Sequence, residues 1–211
     1  MARNLDPKCK QCRRANEKLF LKGERCFSSK CAMVKRNYPP GMHGPKGTGR
    51  LSQFGLQLKE KQKLVKSYRL LEKQFRNYFV EAKKIKEGTT GDNLLKFLEM
   101  RLDNAIYRLG IAKSRDKARQ MVTHGHVLVN GKKVDIPSYQ IKTNQTIGIR
   151  KESLNNKLFK DIVKKINKKD IPTWISFINE NDLEAKVLSA PTKDDLPDGF
   201  DMAMIVEYYS R

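Results

Sequence analysis

Four cysteines near the N-terminus are the residues whose spacing most directly predicts chemistry. They follow a Cys-x2-Cys, thirteen-residue, Cys-x4-Cys pattern and are all the cysteines of the chain: Cys9, Cys12, Cys26 and Cys31. Two close pairs of thiolates are a common donor set for tetrahedral Zn2+. Because all four ligands would come from the protein, the predicted zinc is structural, and residues 1–50 are predicted to form a basic zinc-knuckle arm.

Free thiols, an iron–sulfur cluster and a disulfide are the alternatives to zinc. The first ten residues, MARNLDPKCK, are polar and do not resemble a signal peptide. A reducing compartment is therefore expected, which disfavours persistent disulfides. The predicted location is cytoplasmic.

The sequence contains none of the common catalytic signatures. It has no Gly-x4-Gly-Lys-Ser/Thr loop, no Gly-x-Gly-x2-Gly motif after a strand and no His-Glu-x2-His pair. The three histidines are His43 in a Gly/Pro loop and His124 and His126 beside a glycine at a predicted helix end. They are interpreted as phosphate contacts or backbone caps, and the sequence predicts no enzyme.

The charge of the chain calls for an anionic partner. Its 211 residues include 44 Lys and Arg against 23 Asp and Glu, a formal net charge of +21. Residues 151–211 carry 10 basic and 11 acidic side chains, so the excess lies before them. No apolar run approaches the roughly 20 residues of a transmembrane helix, and the cations are not gathered on one amphipathic helix. Nucleic acid is thus favoured over a membrane surface or an acidic protein.

The sequence favours phosphate neutralisation over aromatic stacking as the mode of binding. Trp174 lies in an apolar, strand-like run and is interpreted as a core residue. Tyr38 and Phe54 are the more open candidates for stacking.

The hydrophobic pattern predicts the elements that position these cations. Residues 1–50 lack helical periodicity, and two helices are predicted from Leu51 to about Lys86, with a break near residues 66–68. One further helix is predicted to end at Gly110. Its apolar stripe leaves Arg101 and Arg108 outside and consists of Leu95, Leu98, Leu102, Ile106 and Leu109.

A second short helix is predicted to begin after Ser114 as its N-cap. Arg115 and Arg119 are four residues apart and share one face, which is predicted to be exposed. The backbone amides at this helix start, beside Lys113 and Arg115, form a site that could hold a phosphate.

A small sheet is predicted after this helix, which ends at His124-Gly125. Asn130-Gly131 is the dipeptide that most favours a type I′ turn, and Lys132 follows on the return strand. Residues 146–150 are predicted to form a further strand, and two later apolar runs, 174–178 and 185–188, a second hairpin.

The remaining segments complete an α+β fold, in which two short helices pack on a small, mainly antiparallel sheet. Residues 151–171 are predicted to be helical, and Met202, Ile205, Val206 and Tyr209 predict a C-terminal helix that must bury its apolar face. The predicted domains are the arm 1–50, a helical domain 51–91 completed by 196–211, and an inserted domain 92–190 that carries the sheet.

Several phrases resemble one family. Residues 101–139, with RLDN, KSRDKARQMV and HGHVLVNGKKVDIPSY, resemble the helix-turn-hairpin RNA-binding module called the α-L motif. The cysteine segment, YPPGMHG, LSQFGLQLKEKQK, LEKQFRNYF and the terminal IVEYYSR resemble the bacterial family of small-subunit ribosomal protein S-four. The resemblance extends over essentially the whole chain.

The resemblance implies a primary RNA-binding protein of the small ribosomal subunit. Such a protein binds the 5′ domain of the small-subunit ribosomal RNA at a multi-helix junction and nucleates assembly. The resemblance also implies a neighbour, ribosomal protein S-five, and a contribution to translational accuracy with it. The acidic C-terminal segment would then face protein.

The resemblance further implies which residues contact RNA. Carried over to the matching positions, these are Arg13, Arg14, Lys35, Arg36, Arg50, Arg101, Lys113, Ser114, Arg115, Arg119, His124 and Lys132. In this family the basic stretch before the LS-x-(Y/F)-G phrase is associated with messenger RNA where it enters the subunit. Here that stretch contains only Lys46 and Arg50 among glycines, which argues against a strong role in unwinding the messenger RNA.

Two other functions are alternatives to a structural role in the ribosome. An RNA-modifying enzyme that carries an α-L module would need a separate catalytic domain, and residues 151–211 contain no paired catalytic motif. Binding of its own messenger RNA, to repress its synthesis, is a regulatory role that the residues do not decide.

Overall fold

The computed structural model describes residues 4–47, 49–163, 171–195, 197 and 199–210. The helices are α1 (Lys8–Ala15), α2 (Ala32–Lys35), α3 (Gln53–Ser67), α4 (Glu72–Lys84), α5 (Thr90–Glu99), α6 (Leu102–Arg108), α7 (Arg115–Thr123), α8 (Lys151–Leu154), α9 (Lys157–Val163) and α10 (Met202–Tyr209). The strands are β1 (Val127–Val129), β2 (Lys132–Lys133), β3 (Thr146–Ile149), β4 (Ile175–Asn179) and β5 (Glu184–Val187). The predicted mixed α+β class is confirmed.

The chain divides into two compact units. Unit 1 consists of Met1–Leu94 and Pro197–Arg211, and unit 2 consists of Leu95–Leu196. The described part of unit 1 is helical, whereas unit 2 carries the sheet.

The two helices predicted after Leu51 are confirmed as α3 and α4. The Ser52 hydroxyl caps α3 by accepting the N–H of Gly55 at 3.2 Å, one of the amides that a helix start leaves unpaired. After α3 the chain reverses at Arg69, which has φ +58°. The apolar face of α4 is then buried through Phe75, Tyr78, Phe79 and Ala82.

The C-terminal helix α10 packs on α3. Ile205 is fully buried there, and the Gln57 amide donates to the Glu207 carboxylate at 2.6 Å. The Tyr209 ring stacks on Phe79 with a centroid distance of 4.6 Å. The apolar face of α10 is thus covered within unit 1.

One carboxylate links α3, α4 and α10. Glu72 accepts the Tyr209 hydroxyl at 2.6 Å and pairs with Lys61 at 2.9 Å. Lys61 also lies over the Tyr208 ring, 4.6 Å from its centroid. Burial raises the pKa of the Tyr209 phenol, and its hydrogen bond to Glu72 raises it further.

Polar side chains tie the N-terminal segment to the helices of unit 1. The Arg69 guanidinium donates to Gln11 at 3.0 Å and to the backbone carbonyl of Asn4 at 2.6 Å. Lys63 pairs with Glu17 at 2.6 Å. These contacts span long stretches of chain, so they fix the arm against α3.

The predicted zinc site is wrong. Within the described ranges, no group of three or more His, Cys, Asp or Glu side chains could hold a metal ion. Tetrahedral zinc needs thiolate sulfurs about 2.3 Å from one point, and the four cysteines, all free thiols, are not arranged for that. Cys12 instead packs with Leu19 and Leu21 in a small apolar cluster.

Burial also disfavours the ligand form of the thiol. Cys9, Cys12, Cys26 and Cys31 line one cavity of about 20 Å³. Burial raises the pKa of Cys12, and the three neighbouring thiols raise it further against a backbone hydrogen bond at Leu19 that lowers it. Burial thus favours the protonated form of the Cys12 thiol.

The single helix predicted before Gly110 is wrong, because the chain forms α5 and α6 instead. Arg101 between them is extended, with φ −75° and ψ 139°. The backbone on both sides of the break pairs with a later loop. The Leu102 N–H donates to Tyr139, and the N–H of Ile141 donates to Met100, both at 2.9 Å.

The predicted exposure of Arg101 and Arg119 is also wrong, since both are buried. Arg101 donates to both carboxylate oxygens of Asp103, at 3.0 and 2.7 Å, and an Arg119 nitrogen lies 3.5 Å from the same carboxylate. The helix break turns Arg101 inward, and Asp103 neutralises it there. A buried guanidinium needs such a partner.

The described strands of unit 2 form an antiparallel sheet in the order β2-β1-β3-β5-β4. Asn130 and Gly131 have φ +48° and +75°, so the predicted type I′ turn is confirmed. The second predicted hairpin is confirmed as β4 and β5. The inward residues of β1, β3 and β5 share one core with α6, α7 and the fully buried Trp174.

The segments before and after the second hairpin partly match their predictions. The helix predicted for residues 151–171 is present as α8 and α9, and residues 164–170 lie outside the described residues. Asp195 accepts the hydroxyl groups of Thr173 at 2.6 Å and Thr192 at 2.7 Å. Burial alone would raise the pKa of Asp195, but these hydrogen bonds outweigh it and lower that pKa.

We predict that Asp103→Ala lowers the free energy of unfolding of unit 2 by about 3–5 kcal/mol, because it leaves two buried guanidiniums without their shared carboxylate. Urea unfolding of the full chain measures the loss. Asp135→Ala is the matched control, since Asp135 is exposed and a surface change of this kind stays within about 0.5 kcal/mol. Equal effects of the two variants would contradict the buried cluster.

Candidate nucleic-acid interface

The start of α7 presents part of the predicted RNA face. The Ser114 hydroxyl caps the helix by accepting the Lys117 N–H at 3.3 Å, as predicted. Ser114 itself is buried, whereas Lys113 before it is exposed. The cap thus uses one of the backbone amides that were proposed to bind phosphate. The fixed charge at this helix start therefore contributes more to phosphate binding than the remaining amides do.

Arg115 is half-exposed at the start of the same helix, and its side chain is held in one orientation. Its Nε donates to Asn104 at 2.8 Å, and its guanidinium lies 4.6 Å from the centroid of the Tyr107 ring. The Asn104 amide in turn donates to the Glu99 carboxylate at 2.8 Å. A planar guanidinium that is fixed in this way loses less freedom when it binds an anion.

The buried carboxylate of Glu99 anchors this arrangement. Its side chain is fully buried and accepts two nitrogens of Arg108, both at 2.8 Å. Bidentate pairing is the strongest form of such a contact. A chain of contacts therefore runs from Glu99 through Asn104 to Arg115 at the surface.

The end of α7 forms a second group of cations. We define the α7 patch as Lys117, His124, Lys133 and Arg150, which surround His126 and Gly125. Lys133 lies across Gly125, where a Cβ would collide with it, and Gly125 has φ +72°. The positive φ favours glycine at this position, whereas the end of the flexible Lys133 side chain could move aside for a Cβ.

His126 is held inside the α7 patch. Its Nδ1 lies 2.9 Å from the Ser153 hydroxyl, and its ring contacts Phe159 edge-on with centroids 5.5 Å apart. Burial lowers the pKa of His126, and electrostatic interactions with His124, Lys117 and Arg150 lower it further. His126 is therefore a neutral positioning residue at neutral pH, while exposed His124 lies at the surface.

The predicted RNA-binding residues of unit 2 thus fall into two groups. Lys113, His124 and Lys132 are exposed, and Arg115 is half-exposed. Arg101, Arg119 and Ser114 are buried in the ion cluster and the helix cap. Three further basic residues lie near this surface and were not among the predicted contacts: Lys117 and Lys133, which lie within the quoted phrases, and Arg150, which lies beyond them.

A basic groove lies in unit 1. We define the arm groove as the cleft of about 450 Å³ between α1, the Gly23–Cys26 turn and α2. Its charged lining consists of Lys10, Arg13, Arg25, Lys30, Lys35 and Arg36, and none of its described lining residues is acidic. Such a concentration of unopposed cations attracts phosphates.

The structure brings together three of the predicted contacts in this groove. They are Arg13, Lys35 and Arg36, and the groove is also lined by Lys10, Arg25 and Lys30, which the sequence did not predict as part of this surface. The sequence signal that these three residues line the groove is their position, because each flanks a cysteine that the fold gathers around one cavity. Because the four cysteines lie together in the fold, the basic residues next to them in the sequence are brought together as well.

Arg13 also shapes the groove. It donates to the backbone carbonyls of Tyr38 at 2.8 Å and Pro39 at 3.1 Å, and lies 4.7 Å from the centroid of the Tyr38 ring. The loop after α2 is therefore fixed against α1.

Two other predicted contacts, Arg14 and Arg50, are exposed and do not line the arm groove. Arg14 lies near Lys66. Burial lowers the pKa of Lys66, and the charge of Arg14 lowers it further.

Comparison with known proteins agrees with the quoted phrases. Residues 3–99 match the family model described as Ribosomal protein S4/S9 N-terminal domain, and residues 100–147 match the S4 domain. The chain is 46% identical to small ribosomal subunit protein uS4 of Nitrosospira multiformis, 48% to uS4A of Clostridium acetobutylicum and 47% to uS4 of Heliobacterium modesticaldum, each over the full length of both chains.

The chain belongs to the uS4 family. This confirms the resemblance, and uS4 is a family of structural, non-enzymatic ribosomal proteins. The S4 domain match covers α6, α7 and the first hairpin, and includes Lys113, Arg115 and Lys132. As for a membrane, no helix in the described ranges has the length and apolarity to span one.

We predict a pH dependence of stability that comes from His126. Because folding lowers its pKa, the unfolded chain binds the proton more readily, so the stability contribution is present above about pH 6.5 and is lost as the pH falls below it. His126→Gln should reduce the loss of unfolding free energy between about pH 7.5 and about pH 5.5. His43→Gln, at an exposed loop position, is the control, and an equal pH dependence in wild type and His126→Gln would contradict the prediction.

Proposed function

We propose that this protein is a structural constituent of the small ribosomal subunit that binds and organises its ribosomal RNA. The observation that carries the proposal is the arm groove, where the cations of α1, α2 and the turn between them meet without a lining carboxylate. RNA phosphates are the ligands that this charge pattern suits, because A-form grooves hide base edges and leave phosphates and 2′-hydroxyls to be read.

The exposed side of unit 2 supplies the second RNA contact in this proposal. Lys113, Arg115, the α7 patch and Lys132 would meet phosphates on either side of α7. Arg115 is held by Asn104 and the Tyr107 ring, so it suits recognition of RNA shape better than a flexible lysine would.

The family suggests the particular RNA. We propose the junction in the 5′ domain of small-subunit ribosomal RNA, with nucleation of assembly as the consequence. Membership of the uS4 family also supports ribosomal protein S-five as a neighbour and a shared contribution to translational accuracy. We assign the arm to residues 1–50, the helical domain to 51–91 with 196–211, and the RNA-binding domain to 92–190.

The first test combines footprinting with salt dependence. Purified protein should protect the junction of a 5′-domain RNA fragment, and the logarithm of its affinity should fall by about 0.7–0.9 per phosphate contact for each logarithmic unit of salt. A triple variant of the arm groove, Lys10→Gln with Lys35→Gln and Arg36→Gln, should reduce that slope by about 2 to 3.

The control for this test removes the same charge elsewhere. Lys83→Gln, Lys84→Gln and Lys86→Gln change exposed residues at or just after the end of α4, outside the groove lining. Their combined effect on the slope should be smaller. Equal slopes for the two triple variants, or binding that salt does not weaken, would overturn the assignment.

A second prediction concerns orientation at unchanged charge. Arg115→Lys keeps the cation but loses the bond to Asn104 and the stacking on Tyr107. We expect RNA affinity to fall about 5- to 10-fold, with the salt slope nearly unchanged. Lys132→Arg is the matched exchange at an exposed hairpin position, where affinity should hold; an equal effect at both sites would argue against orientation of Arg115.

A further inference from the structure

Two phenylalanines in the arm are stacked on each other at the surface. The rings of Phe20 and Phe27 have centroids 5.0 Å apart and an interplanar angle of 28°. Phe27 is 77% exposed and Phe20 is 39% exposed, whereas Leu19 and Leu21 on either side of Phe20 are buried. An aromatic pair usually lies inside a core, so this placement calls for an explanation.

The local backbone holds the pair in place. Phe20 has φ +49°, a left-handed conformation that a bulky residue rarely adopts. Phe27 follows the Gly23–Cys26 turn directly, and its N–H donates to Glu24 at 3.1 Å. Cys26 in that turn is buried. Strained backbone that leaves a ring exposed is typical of a binding site.

The pair is connected to the arm groove along the chain by the same turn. Arg25 lies in that turn, two residues before Phe27, and lines the groove. Lys18 and Lys22 on the same segment are also exposed. An exposed aromatic face beside a cationic groove is the combination by which proteins bind unpaired nucleotides, with the base stacked and the phosphate neutralised.

We propose that Phe27, backed by Phe20, is a stacking platform for an unpaired RNA base whose phosphate lies in the arm groove. The proposal rests on the RNA binding proposed above and adds a subsite for a nucleobase. The flanking cations favour a nucleotide over an apolar protein segment, because only the nucleotide uses both the ring and the charges.

The test compares full-length variants on a short oligoadenosine and on an abasic oligonucleotide of equal length and charge. Wild type should bind the base-containing strand roughly 5- to 150-fold more tightly. Phe27→Leu keeps apolar area without a π face and should abolish most of that difference. Phe27→Trp should keep the difference, and its emission should be quenched by oligoadenosine. Val34→Ala, at another exposed apolar side chain of the arm, should change neither affinity.

The outcomes separate this subsite from the proposed function. If wild type binds both strands equally, or if Phe27→Leu keeps the difference, the platform is overturned while salt-dependent RNA binding stands. If wild type binds neither strand and does not protect the 5′-domain RNA, both proposals fail. If Phe27→Leu binds RNA like wild type but no longer assembles into subunits, the pair contacts protein and the platform is overturned.

Discussion

The constraint on which this structure depends is that a strongly basic chain must neutralise the cations it buries. With a net charge of +21 there are few carboxylates, and several of them lie beside cations in the interior. Asp103 forms ion pairs with Arg101 and Arg119, Glu99 with Arg108, and Glu72 with Lys61. An unpaired charge in those positions would destabilise the fold by several kcal/mol.

This placement has a consequence for the surface. The described lining of the arm groove contains no carboxylate, so the groove keeps a strong positive field, whereas Arg150 of the α7 patch pairs with the exposed Glu152. Internal neutralisation and external RNA affinity thus follow from one distribution of acidic residues. The Glu99–Asn104–Arg115 chain of hydrogen bonds combines both effects. The Glu99 carboxylate stabilises the interior and, through Asn104, also orients the Arg115 guanidinium at the surface.

The sequence predicted those features that short-range chemistry determines. The Ser114 cap and the Asn130-Gly131 turn depend on residues within a few positions, and both are present. The break at Arg101 was missed because the apolar stripe continues across it without a change of spacing. The inward direction of Arg101 and Arg119 depends on Asp103 and on the loop that includes Tyr139, which spacing does not encode. The cysteine pattern failed for a related reason, since spacing along the chain does not determine the positions of the sulfur atoms.

Packing and the arm's own cations hold the arm together. Leu19 and Leu21 form only a small apolar cluster with Cys12, so the long-range bonds of Arg13 and Arg69 carry much of the arm's geometry. Basic residues therefore have two roles in this segment, some as internal ties and others as lining of the groove. An RNA that binds only the folded arm would stabilise it further by mass action, so the segment richest in RNA-facing charge is also the one whose stability gains most from its ligand.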